Sequence, residues 1–128
     1  MTCSEPIRLT VPAAPEYARV VRMCAASAAA VADLSLEDVE DVRMAAEEGF
    51  VYACATGQSS VDCALSLGDG SLELTYSLGD DLEAADDGSL DLVEALLDAI
   101  CEDFGITDGE SGSELLLVLH TGGAHDEQ

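Results

Sequence analysis

The chain contains no lysine and no tryptophan, and its aromatic residues are three tyrosines and two phenylalanines. Its only fixed cations are Arg8, Arg19, Arg22 and Arg43, set against 27 carboxylates for a formal net charge of −23. Residues 44–128 carry 20 of those carboxylates and not one Lys or Arg. Such a surface repels phosphate backbones and anionic lipid, so nucleic acid and membrane are excluded as expected partners, and a cationic partner or counterions are favoured. An acidic proteome or a high-salt host is the alternative origin of the charge. No run of 18 apolar residues occurs, and the start, MTCSEPIRL, has no apolar signal core. A cytoplasmic protein is therefore expected. The five cysteines, Cys3, Cys24, Cys54, Cys63 and Cys101, are odd in number and never form CxxC. They are expected as reduced, buried small hydrophobes, with no metal site. Of the two histidines, His120 is expected at the rim of a strand and His125 in the tail. P-loop, GxSxG and Rossmann glycine signatures are also missing.

What is present is a chain of one-domain length, 1–128, with 48% hydrophobic residues, too apolar for disorder despite its charge. Ile7, Leu9 and Val11 alternate with polar neighbours and predict a short strand. Pro15 suits the first turn of a helix, in which Tyr17, Val20, Val21, Cys24, Ala28 and Val31 recur at helical spacing and Arg19 and Arg22 fall opposite. Ser35 predicts the N-cap of a second helix, whose apolar face carries Leu36, Val39, Val42, Ala46, Phe50 and Ala53, with Gly57 as its stop. The alternating runs Val61–Leu67 and Leu72–Leu78, separated by an Asp-Gly turn, predict a hairpin. An acidic loop follows over 79–89, then a third helix over 89–99 capped by Ser89, a weaker strand over Ile100–Ile106, and a final strand, ELLLVLH (114–120). That last run is apolar on both faces, which places it in mid-sheet. Residues 121–128 read as a disordered tail. Helices grouped against a mixed, mostly antiparallel sheet make an α+β two-layer sandwich.

On the second helix, Glu37, Asp41, Glu48 and Tyr52 share one arc away from the Val39–Ala46–Phe50 stripe, and Glu48 and Tyr52 stand one turn apart. By periodicity this arc is the solvated side of a core helix. Glu47 is an edge charge. The acidic loop lacks the spacing of an EF-hand.

The stretch LTVPAAPEYARVVRMCAASAAAVADLSLEDVEDVRMAAEEG resembles the N-terminal third of the bacterial anti-sigma-factor serine/threonine kinases, members of the histidine-kinase-like (GHKL) ATPase superfamily. A strand ending in "PA-P-E" leads to a helix with "VR" and then to a helix of the form D-i-k-l-A-v-s-E-a-x-t-N-A, matched by Asp41, Val42, Ala45, Glu48 and Ala53. The hairpin, the acidic loop, Ala95–Asp98 and the last strand follow in family order. The resemblance implies a Bergerat ATPase fold. It places a general-base glutamate at Glu48 and, where the family's Mg²⁺-binding asparagine belongs, Tyr52. The adenine-binding D-x-G-x-G falls on Leu78, Asp80 and Leu82, and the glycine-rich lid is reduced to Gly88. Tyrosine is a poor ligand for a hard cation, and leucine cannot accept the adenine amino hydrogen. The loop that would cradle phosphates carries Asp80, Asp81, Glu83, Asp86 and Asp87. At an effective dielectric of about 20, one like-charge pair at ~6 Å costs on the order of 3 kcal/mol before screening.

The resemblance, with three nucleotide motifs lost, leads to the expectation of an anti-sigma-type pseudokinase that regulates transcription by protein–protein contact. No cofactor is expected. Its partner would be a sigma factor or an anti-anti-sigma (STAS-type) protein, contacted through Arg19 and Arg22, and family members dimerise. Two alternatives stay open. One is an active serine/threonine kinase using Mg·ATP and Glu48. The other is an acidic mimic that masks a basic nucleic-acid-binding protein.

Overall fold

The computed structural model describes residues 5–68, 70–80, 90–109 and 112–121. Strand β1 spans Ile7–Pro12, and a 3₁₀ turn at Pro15–Tyr17 leads into α1, Ala18–Val31. Helix α2 covers Leu36–Cys54, the hairpin strands β2 and β3 cover Ser60–Gly68 and Ser71–Ser77, and α3 covers Asp91–Ile100. Strands β4, Asp103–Gly109, and β5, Gly112–His120, complete the described chain. The sheet order is β1-β2-β3-β5-β4. All four pairings are antiparallel, so the expected mixed character does not appear among the described residues.

The sheet alternation sets one face against the helices. Ile7, Leu65, Leu74, Leu117 and Phe104 are register partners and form an apolar row across all five strands. One residue along, Arg8, Ala64, Thr75, Leu116 and Gly105 form the corresponding row on the opposite face. Strand β5 lies between β3 and β4, as its apolar sequence predicts, yet only its inner residues Leu115, Leu117 and Leu119 are buried. Leu116 and Val118 stay half-exposed because no layer covers the outer face of the sheet in the described chain. The hairpin turn uses Gly70 at φ +75°, the left-handed region where glycine carries no Cβ penalty.

Helix α2 is the central helix, touching α1, α3 and strands β2, β3 and β5. Ser35 caps it as expected, its Oγ accepting from the Asp38 N–H at 3.1 Å. Gly57, just beyond the helix, takes φ +78° and turns the chain. The buried stripes differ from the periodicity reading at both helix ends. Leu36 is 86% exposed and Val31 85% exposed, where the pattern predicts core positions. Both lie beside the turn between α1 and α2, beyond the reach of the sheet. On α1 the buried set is Ala18, Val21, Ala25, Ala28 and Ala29. Tyr17 and Val20 are exposed instead, because small alanines rather than the larger side chains let α1 approach its neighbours closely.

Two boundaries also move. The last-but-one strand begins at Asp103, not Ile100, since α3 continues through Ile100. The residue preceding α3 at its N-terminus is Leu90, without a side-chain cap. The expected cap Ser89 lies outside the described residues, as do 81–88 of the acidic loop, Cys3, His125 and the tail from 122. Cys24, Cys54 and Cys63 are half-buried, Cys101 is buried, and all four are free thiols.

Candidate functional site

The arc of α2 that periodicity assigns to solvent is not a free surface. Tyr52 is only 6% exposed and belongs to the hydrophobic core, next to Ala53 and one turn after Glu48. Asp41 and Glu48 are half-buried. Burial raises the Glu48 carboxyl above its ordinary range, and the neighbouring Glu47 charge adds to the rise. Asp41 is raised likewise, first by burial and then by Asp38, Glu37 and Glu40. The Asp41 charge is also felt by the Cys101 thiol at the end of α3, so this side of α2 looks toward α3. This face of the helix thus packs a tyrosine and half-buries two carboxylates, while Glu37 near its start stays exposed.

Glu47, expected as an edge charge, has a definite partner. Its Oε1 lies 3.2 Å from Arg22 Nη1, tying α1 to α2. Arg22 is therefore engaged inside the molecule, and its Nε is buried without a hydrogen-bond partner. Arg19 is exposed, with the exposed Val20 and Met23 on the same helix. Of the two arginines on this helix, Arg22 is thus paired within the described chain and Arg19 is exposed. His120 sits at the end of β5 as expected, its Nδ1 3.2 Å from Glu102 Oε1.

Beyond β3, Leu78 packs against the core and Asp80 is exposed, while Gly88 lies outside the described residues. Between Leu78 and Asp80 stands Gly79, which the sequence did not single out. Thr56, buried at the end of α2, donates from Oγ1 to the Ala53 carbonyl at 2.7 Å. The same oxygen accepts the Gly79 N–H at 2.7 Å. A Cβ on residue 79 would stand 2.2 Å from the Thr56 carbonyl oxygen, so only glycine permits this approach. Gln58 reinforces the junction, its Nε2 donating to the carbonyls of Ala53 at 3.2 Å and Ser77 at 2.7 Å. The backbone leaving β3 is thereby clasped to the C-terminal end of α2. A glycine two residues after a strand and a threonine two residues after a helix were the sequence signals available.

This fold, with a central helix clasped at its C-terminal end to the backbone leaving a hairpin strand, agrees with the comparisons. The model of the histidine kinase-like ATPase domain matches residues 11–119, most of the chain. The chain belongs to the histidine kinase-like ATPase domain family. Among solved structures, the fold is similar to the crystal structure of the RsbU and RsbW domains of Rv1364c from Mycobacterium tuberculosis, with a TM-score of 0.67 and 21% sequence identity. That match covers 92% of this chain but only 32% of the solved one, so the chain spans about a third of that larger protein. A comparison with curated proteins finds no match.

Within this fold, the chain's residues can be tested against Mg·ATP. The phenol at Tyr52 and the isobutyl group at Leu78 offer neither a carboxamide for Mg²⁺ nor a carboxylate for adenine. Tyr52 belongs to the hydrophobic core and Leu78 packs against it. Among the described residues no group of three or more His, Cys, Asp or Glu side chains is placed to hold a metal ion. At these two described positions the side chains differ in chemistry from the asparagine and aspartate that the resemblance places there.

Proposed function

We propose that the chain keeps the histidine-kinase-like fold as a regulatory binding module of the anti-sigma type, with little or no nucleotide chemistry. The observation that carries this reading is Tyr52, a core residue at the position the family resemblance gives to a metal-binding asparagine. The partner is a sigma factor or an anti-anti-sigma protein, met by the outward side of α1, where Arg19 stands among exposed Val20 and Met23. Exposed apolar residues beside a charge that forms no ion pair in the described chain suit a rimmed protein interface. Titration calorimetry of the chain with Mg·ADP and with Mg·ATP tests the first half. No heat of binding at micromolar concentrations is expected, and micromolar affinity for either nucleotide overturns the reading.

One observation favours the kinase alternative. The raised Glu48 carboxyl is the kind of perturbation a general base shows in a working site. Transfer of labelled γ-phosphate to a STAS-type protein, lost in Glu48→Gln, would establish that alternative. Burial beside a second glutamate accounts for the same shift without catalysis.

A further inference from the structure

A small cavity lies between α1 and the sheet, on the side away from the Glu48 region. Its volume is about 20 Å³, and its walls include Leu9, Val21, Cys24, Ala25, Cys63 and Leu74. That is room for one water-sized guest, but the walls are apolar and offer such a water too few polar partners. The exceptions in chemistry are the two thiols and Tyr76, whose hydroxyl is taken up by the Ala46 carbonyl. Cys24 comes from α1 and Cys63 from β2, elements far apart in sequence and joined only by this packing. Charges on Cys24 and on Cys54 are both felt at Cys63, but of those two only Cys24 lines the cavity with it.

We propose that Cys24 and Cys63 form a two-coordinate site for a soft, thiophilic divalent cation, for which mercury(II) is the probe. Binding releases one proton from each thiol and forms two metal–sulfur bonds, with no change in oxidation state. The product carries two thiolate charges against a 2+ ion and is neutral, which an apolar cavity accepts at little electrostatic cost. A monovalent soft ion would leave a net negative charge buried in a chain already at −23. Hard cations need oxygen ligands that these walls lack, and zinc needs four ligands. Burial pushes the Cys63 thiol up to about 12, so weakly thiophilic metals do not displace its proton. The site is selective for that reason.

The test uses the full reduced chain, mercury(II) chloride and roughly 100-fold excess of a small monothiol, which strips singly held mercury from isolated cysteines. A chelating pair gains about 10²–10⁴-fold over one thiol through effective concentration. The wild-type chain is expected to retain one mercury, with native mass spectrometry showing the gain of Hg and loss of two protons. Retention should fall at least ~100-fold in Cys24→Ala and in Cys63→Ala and persist in Cys54→Ala. Retention by the Cys24/Cys63 double variant, or loss in Cys54→Ala, overturns the assignment. X-ray absorption at the mercury edge of the wild-type complex gives a reading independent of how the variants fold. Two sulfur neighbours support the site, and one, three or four overturn it.

Discussion

Gly49 is the residue on which the centre of the fold turns. It lies on the buried side of α2, between Glu48 and Phe50, and Tyr76 of β3 passes directly over it. The Tyr76 hydroxyl reaches past the helix surface to donate to the Ala46 carbonyl at 2.9 Å. A Cβ at position 49 would stand 2.6 Å from Tyr76 Cε1 and 2.9 Å from Leu117 Cδ1. The tyrosine ring is fully buried and cannot swing aside without losing its hydrogen bond. Gly49→Ala is therefore expected to lower stability by about 1–3 kcal/mol, the usual cost of overpacking, despite alanine's better helix propensity. Urea denaturation read by circular dichroism measures it, and an unchanged or higher midpoint would contradict the close contact. Glu48, next in the chain, gives a pH test. Its carboxyl is raised in the fold, so the stability it contributes is fully present below the ordinary glutamate value of 4.5 and is lost as pH rises through the higher folded value. Glu48→Gln removes that loss. Its melting temperature should exceed the wild type's at pH 7, and the gap should close by about pH 4. A gap that is absent at pH 7, or that widens on acidification, would show that Glu48 is better stabilised as the anion.

At the scale of elements, the pair of helices α1 and α2 shows what local pattern can and cannot convey. The Ser35 cap, the hairpin with its Asp-Gly turn and the mid-sheet place of β5 follow from short-range chemistry, and each was legible. The α2 arc was not, because a helical wheel marks which residues share a side but not how many neighbours that side meets. Here α1, the sheet and α3 all pack on α2, so Tyr52 enters the core although it lies outside the apolar stripe. The same limit hid the Thr56–Gly79 clasp, which joins residues 23 apart in sequence. Glu48 was marked as a candidate only through the resemblance, since periodicity alone assigned it to solvent. Arg22 and Glu47 connect the two helices across 25 residues, with Arg22 27% and Glu47 36% exposed. A double-mutant cycle with Arg22→Ala and Glu47→Ala should give a coupling of about 0.2–1 kcal/mol in low salt and less in 0.5 M NaCl. A coupling near zero would mean that the pair orients α1 without stabilising it, and one that survives high salt would place the pair in a drier setting than its exposure indicates.

At the scale of the whole molecule, charge governs. All four arginines lie within residues 1–43, and two of them are already paired, Arg22 with Glu47 and Arg43 with Glu40. Folding therefore brings the carboxylates of the described residues together with little internal compensation. Self-repulsion of this kind destabilises the compact state relative to the expanded one, where the same charges stand farther apart. Salt should relieve it. Between 0.05 and 0.5 M NaCl the screening length falls from over 10 Å to roughly 4 Å, shorter than most carboxylate separations on the surface. The Arg22–Glu47 pair loses under the same change, but by no more than about 1 kcal/mol. The melting temperature at pH 7 is thus expected to rise by about 3–8 °C, the shift that 1–2 kcal/mol produces in a domain of this size. Acidification from pH 7 to pH 5 should raise it as well, because Asp41 and Glu48 are raised carboxyls and gain protons first. Salt acts only on the charge repulsion that comes second to burial in raising these two carboxyls, while protonation removes both, so the two effects should add less than fully. At pH 5 the increment produced by 0.5 M NaCl should be smaller than at pH 7. Scanning calorimetry over that two-by-two grid decides the matter: equal salt increments at both pH values would mean that the repulsion resides in carboxylates other than Asp41 and Glu48, and a fall with salt would mean that attractive pairs outweigh it.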